Sequence, residues 1–237
     1  MKMTNRKPQM IVIYALSFAM TLAANPVLAQ SSKSGERVIV GLGDSTTAGT
    51  PGFLSPAEAP PAGRGNPESQ YGYWLMKRHP EWKFLNRGVY GERSDQILRR
   101  LEPDVLKQKP DAVIVLAGVN DLYQGYPVDW VKFNLKEIYT RAHGAGIKVM
   151  ACTVLPYDAV TEEVRKKMKE LNAWILSYSQ ALGIGFCDTY RAVVDPQKPG
   201  HLVSSADHLH PDAAAYRKMG EAVTDALEQW LTTNPLR

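Results

Sequence analysis

From residue 37 onward the chain alternates two patterns. Short, nearly continuous apolar runs are separated by stretches in which apolar residues recur every three or four positions. The runs Arg37–Gly43, Trp82–Val89, Asp111–Ala117, Ile147–Leu155 and Ile184–Cys187 read as buried strands. Between them, Tyr71–Arg78 reads as a short amphipathic helix stopped by Pro80. Ser94-Asp95 reads as the cap of a helix reaching about Gln108, and Pro127–Ala142 as another helix. The clearest helix carries Val164, Met168, Leu171, Ile175, Tyr178 and Leu182 at steps of four and three, one face of a 3.6-residue period. That stripe implies packing on a sheet and no ligand role. Gly183 ends it, and a last helix is expected from near Pro211, a favoured first-turn residue, to about Leu231.

Five strand-then-helix units with almost wholly apolar strands imply a five-stranded parallel sheet covered on both faces. With right-handed crossovers this is an α/β fold, a three-layer α/β/α doubly wound domain of flavodoxin-like type. Ligands in such folds sit beyond the carboxyl ends of the strands. One segment breaks the alternation: Pro51–Pro67 holds five prolines and three glycines without apolar periodicity. A loop of that length is expected to rim the carboxyl-end face.

The first residues follow another rule. Lys2, Arg6 and Lys7 precede an apolar run, Ile11–Ala24, and Val27-Leu28-Ala29 offers a small-residue cleavage site. Residues 1–29 therefore read as a secretory signal peptide and 30–237 as one domain, exported to the periplasm or medium. An uncleaved anchor is the alternative, but the run is short for a membrane span. Three of the 28 basic residues and none of the 24 acidic ones lie in this leader, leaving 25 against 24. That near-neutral balance is no footprint for nucleic acid or for an anionic membrane surface. Cys152 and Cys187 fall in expected strands; export permits a disulfide, while buried thiols are the commoner outcome.

Three strand ends carry polar residues that packing does not need. They are Gly43-Asp44-Ser45-Thr46-Thr47, Gly118-Val119-Asn120-Asp121 and Asp207-His208-Leu209-His210-Pro211; a glycine, Gly91, follows the second strand. Each has an ordinary structural reading. Ser45 or Asp44 is a good helix N-cap, Asn120-Asp121 a common turn, and Asp207, His208, His210 and Asp212 are close enough in sequence for a metal cluster.

Together, in this order and at strand ends, the blocks resemble the GDSL or SGNH hydrolase family of esterases and lipases, over essentially the whole chain after the leader. Matched residue by residue, the resemblance implies Ser45 as nucleophile, His210 as general base and acid, and Asp207 as the carboxylate that orients the imidazole. It implies an oxyanion hole from the Ser45 N–H, the Gly91 N–H and the Asn120 side-chain amide. Gly88 lies near Gly91 and competes for that role, as His208 competes with His210; the family pattern selects His210 and leaves His208 on the rim. Asp44 takes the cap. His79, beside Pro80, reads as a helix-end residue, and His143 and His201 have no partner suggested by spacing.

No metal or organic cofactor is implied, because a triad supplies nucleophile, base and electrostatics. The rim is expected from loops 51–67, 90–93, 121–127, 156–160 and 191–206. These bring Tyr90, Tyr123, Tyr126 and Tyr157 near the site, with Arg64 and Arg93 as contacts for a polar or anionic group. No long apolar lid is visible. The expected partner is a small-molecule or carbohydrate ester, with removal of acetyl groups from sugars as the leading reading. A lysophospholipase or thioesterase taking longer chains is the runner-up, and an inactive carbohydrate-binding protein the alternative from another class.

Overall fold

The computed structural model describes residues 35–158 and 160–234; the leader lies outside the described residues. The strands are β1 Val38–Gly43, β2 Phe53–Leu54, β3 Arg64–Gly65, β4 Lys83–Gly88, β5 Ala112–Leu116, β6 Lys148–Cys152 and β7 Gly185–Cys187. The helices are α1 Ser45–Ala48, α2 Tyr71–Arg78, α3 Ser94–Arg99, α4 Leu101–Asp104, α5 Val119–Tyr123, α6 Val128–Gly144, α7 Glu162–Leu182, α8 Thr189–Val193 and α9 Ala213–Thr233.

Five strands form one parallel sheet in the order β4-β1-β5-β6-β7, the doubly wound arrangement expected. Because side chains alternate along a strand, Val113 and Val115 of β5 enter one core while Ala112, Ile114 and Leu116 enter the other. The first core is closed by α3, α6 and α7, the second by α2 and α9. Sheet order reverses between β1 and β5, and both strands end at the site described below. Among the described residues no helix is long and apolar enough to cross a membrane.

Several expected boundaries shift, each for a local reason. The segment expected as one helix from Ser94 to Gln108 is α3, α4 and a 3-10 turn at Leu106–Gln108. Pro103 has no N–H to give the carbonyl four residues earlier, so an unbroken helix cannot run through it. Ser94 is not the cap: Arg93 holds that position, and its N–H donates to Gln96 Oε1 at 2.9 Å. Ser94 is drawn inward instead, its N–H and hydroxyl both donating to Asp121 (2.8 and 2.7 Å). β6 ends at Cys152 rather than Leu155, because β5 and β7 offer no ladder partners beyond that point. Pro211 precedes α9 rather than opening it. The cap is Asp212, whose Oδ1 accepts the Ala215 N–H at 2.9 Å.

The loop expected over Pro51–Pro67 is organised. β2 and β3 pair antiparallel inside it, and a 3-10 turn follows at Pro67–Ser69. The Ser55 hydroxyl donates to the Gly88 carbonyl, and Glu58 accepts the Tyr90 N–H. The loop is thereby fixed to the carboxyl end of β4. Cys152 and Cys187 are in register on β6 and β7 as unbonded buried thiols. Contact with Cys187, then burial, pushes the Cys152 thiol well up.

Candidate active site

β1 delivers Ser45 to the carboxyl edge of the sheet. Asp44 caps α1 through its Oδ1, which accepts the Thr46 N–H at 2.9 Å. Ser45 is therefore the first helical residue and not the cap, so its hydroxyl is free for another partner. Its N–H has no carbonyl four residues back to bond. The turn out of β1 is tight: the Arg100 guanidinium donates to the Gly43 carbonyl at 2.7 Å. A Cβ on Gly88 would lie 2.0 Å from the Ala48 nitrogen, so β4 and α1 pack backbone to backbone there.

Before α9, the segment 205–210 folds around one carboxylate. Asp207 Oδ1 accepts the N–H groups of Leu209 (3.0 Å) and His210 (2.7 Å), and Oδ2 accepts from His210 Nδ1 at 2.7 Å. A carboxylate only accepts, so Nδ1 carries the proton and Nε2 of the neutral ring has a lone pair. That Nε2 lies 2.9 Å from Ser45 Oγ. The structure thus joins Asp207, His210 and Ser45 in one hydrogen-bonded line, with His210 buried and Asp207 at its solvent side. Burial alone would raise the Asp207 pKa. The hydrogen bonds from His210 and Leu209 outweigh it and hold the carboxyl at about 2.

The remaining oxyanion candidates are placed differently. Asn120 and Ser45 line one small cavity with His210, walled by Leu116, Val154 and Pro156. The Asn120 amide donates one N–H to the Glu92 carbonyl at 2.9 Å, which ties the 90–93 loop to the site. Gly91 does not line that cavity. It sits in the tied loop at φ +73°, with open space where a side chain would go. Gly88, its competitor, is occupied in packing α1.

The four residues that suggested a metal cluster go to separate partners. His210 faces Asp207 and Ser45, Asp212 caps α9, and His208 Nδ1 donates to Asp158 Oδ2 at 2.9 Å. Among the described residues, no three His, Cys, Asp or Glu side chains are gathered as a metal site requires.

Two features escaped the sequence. The first is Asp158, which accepts from His208, from His201 Nδ1 (3.2 Å) and from the Leu202 N–H (3.2 Å). Its own N–H donates to the His208 carbonyl at 2.9 Å. His208 has φ +64°, rare for a residue with a side chain, and Asp158 holds it there from both ends. Burial would raise the Asp158 pKa, but these hydrogen bonds lower it. His201 thus has a partner that spacing did not suggest, and so does His79, whose Nε2 meets Glu228 at 2.6 Å.

The second feature is a buried polar chain under Asn120. Asp121 accepts from Ser94, whose hydroxyl accepts from Asn134 at 3.0 Å. Burial raises the Asp121 carboxyl above its ordinary range. A signal existed: Asn134 interrupts the apolar face of α6 formed by Val131, Leu135 and Ile138. The aromatic rim divides. Tyr90 and Tyr123 are exposed, whereas Tyr157 is buried. Arg93 is engaged by Asp95, Gln124 and the Tyr126 ring.

A model of the GDSL-like lipase/acylhydrolase family matches residues 42–218. An acetylxylan esterase from Geobacillus stearothermophilus is 24% identical over 164 residues, 62% of this chain and 74% of that one. The solved structure of an acetylxylan esterase from the same organism superposes with a TM-score of 0.64 at 20% identity, covering 81% of this chain and 94% of the other. A GDSL-like lipase from Bacteroides thetaiotaomicron superposes at 0.67 with 25% identity, over 85% of this chain and 92% of that one.

Proposed function

The chain belongs to the GDSL-like lipase/acylhydrolase family and is a carboxylic ester hydrolase, and from that premise we propose that it is an exported serine esterase removing short acyl groups from carbohydrate. Ser45 Oγ attacks the ester carbonyl as its proton passes to His210 Nε2, and Asp207 stabilises the imidazolium through Nδ1. His210 then protonates the leaving alkoxide, and the same pair activates water to release the acid. The oxyanion is met by the Ser45 N–H, by the second N–H of the Asn120 amide and by the Gly91 N–H of the tied loop. The observation that carries the reading is the unbroken line from Asp207 through His210 to Ser45, at 2.7 and 2.9 Å.

Acyl length follows from space. The cavity beside Ser45 has a volume of about 20 Å³ and walls of Leu116, Val154 and Pro156. A space of roughly 10–15 Å³ on the same measure holds one water. An acetyl methyl fits, and a longer chain would have to run out through the open side of the cavity. The relative named an acetylxylan esterase supports carbohydrate as the alcohol side. Export rests on the basic, apolar and small-residue segments of residues 1–29.

The test is hydrolysis of p-nitrophenyl esters from acetate to palmitate by the wild type and by Ser45→Ala. A rate that peaks at acetate or butyrate and vanishes in Ser45→Ala is expected. A peak at long chains moves the enzyme to lysophospholipase or thioesterase chemistry, and activity that survives Ser45→Ala overturns the mechanism.

A further inference from the structure

The segment that follows β6 is a wall with two sides. Val154, Leu155 and Pro156 line the catalytic cavity, while Thr153 and Val160 line a second, larger groove. The wall is braced: Asn172 of α7 accepts the Val154 N–H (2.8 Å) and donates to the Val154 carbonyl (3.0 Å). The groove runs along α7 from Glu162 to Leu176 and reaches Pro199 and Gly200, with a volume of about 740 Å³. That is the size of a ligand site, in the range of roughly 300–1,000 Å³.

Its charges are unequal in availability. Arg165, Lys166 and Lys169 line it, as do two carboxylates, Glu162 and Asp188. Asp188 is committed in part, its Oδ1 accepting the Arg191 N–H (3.0 Å) and the Thr153 hydroxyl (3.1 Å). Arg165 donates to the Gly200 carbonyl at 2.9 Å and faces His201 Nε2 at 3.4 Å, with no carboxylate on it. The ion pairs of α7 are made by its other charges, Lys167 with Glu163 and Glu170 with Lys132. Among the described residues none of the three groove cations is in an ion pair. Phe186 and Tyr190 add flat apolar surface.

We propose that this groove binds an acidic oligosaccharide, the carboxylate-bearing glycan chain whose ester is cleaved in the neighbouring cavity. The inference rests on the carbohydrate-esterase reading above. The reacting carbonyl must lie within about 3 Å of Ser45 and its oxyanion donors, so the groove across the wall receives the part of the substrate that does not react. The three cations outnumber the two carboxylates of the groove, Glu162 and Asp188, and an acyl chain there would use none of these charges. A neutral glycan would use the ring surfaces and not the charges. Binding at such a remote site raises turnover when it helps to seat the ester.

The test has two arms. In the first, a uronic-acid tetramer without ester groups is titrated calorimetrically into folded Ser45→Ala protein, alone and with Lys166→Gln and Lys169→Gln added. Saturable binding is expected, weakened about tenfold by the two lysine changes and also by 0.5 M salt. In the second, kcat/KM of otherwise wild-type enzyme carrying the two lysine changes is measured. It should fall about tenfold on an acetylated uronic-acid oligomer, and be unchanged on an acetylated neutral oligomer and on p-nitrophenyl acetate. Absence of binding, or binding indifferent to the lysines, overturns the proposal. So does a selective loss on long-chain p-nitrophenyl esters, which would give the groove to an acyl chain. If the wild type hydrolyses no ester, the esterase reading fails on its own, and the calorimetric arm still decides the groove.

Discussion

Two aspartate–histidine pairs stand side by side at the carboxyl edge of the sheet, and their chemistry is the same. Asp207 accepts from His210 Nδ1 at 2.7 Å, and Asp158 accepts from His208 Nδ1 at 2.9 Å. The two histidines are two residues apart in one segment, and each carboxylate is held below its ordinary value by hydrogen bonds that outweigh burial. What differs is the far nitrogen of each ring. His210 is buried and presents Nε2 to Ser45, whereas the His208 side chain is 74% exposed. A carboxylate can orient any imidazole. On the proposed mechanism, a nucleophile within reach and shelter from water are what make one of the two the general base.

Breaking each pair in turn gives the largest contrast. His210→Ala is expected to lower kcat on p-nitrophenyl acetate on the order of 10⁶-fold, as loss of a triad base does. His208→Ala removes only the tie to Asp158 and should cost no more than about tenfold. Steady-state kinetics of the two variants, with circular dichroism to confirm folding, checks the assignment. A comparable loss in both would mean that the exposed ring also reaches the substrate.

This contrast also marks how far the sequence could be read. The order of strands and helices was legible because alternation and periodicity are local, and the polar blocks at strand ends were legible because packing gives no reason for them. Choosing His210 over His208 needed the family resemblance, since both follow Asp207 closely and spacing alone favours neither. The partners that hold the site were not legible. Asp158 lies 50 residues from His208 and Asp121 27 from Ser94, and only the folded sheet brings such pairs together. Ser94 is instructive: its local signal says helix cap, but two hydrogen bonds to a buried carboxylate are worth more than one capping bond. Pro103 is a readable break within the expected helix, a covalent constraint that the apolar pattern around it cannot override.

A smaller effect should separate the role of Asp158 from that of Asp207. An amide at position 158 keeps one acceptor oxygen and turns the other into a donor, so His201 or His208 loses its acceptor unless its ring changes tautomer, while the backbone bond from residue 158 to the His208 carbonyl survives. Asp158→Asn is expected to lower kcat by about tenfold with KM for p-nitrophenyl acetate unchanged, the signature of a catalytic segment that is less well held. Asp207→Asn, which disturbs the base itself, should cost about 10⁴-fold. Equal losses in the two would place Asp158 in the reaction rather than behind it. A change in KM alone would mean that the residue serves binding.

The third carboxylate of the region sharpens the comparison because it has no imidazole. Asp44 is buried beneath Ser45, and burial pushes its carboxyl up to about 7; the Thr46 N–H and Arg100 oppose the rise and Asp121 adds to it. The sign is the reverse of that for Asp207 and Asp158. Between the ordinary value of 3.8 and about 7 the unfolded chain has lost this proton and the folded chain retains it. Stability from this group is therefore complete below about pH 4 and is lost as the pH rises towards 7. The substitution Asp44→Asn would keep the capping oxygen and leave no proton to lose. Thermal unfolding from pH 5 to 8 should show the wild-type Tm falling and the Tm of Asp44→Asn falling less, with kcat the least altered of the variants at these three carboxylates. Parallel pH curves for the two proteins would mean that Asp44 is ionised throughout, its charge balanced by Arg100 despite burial.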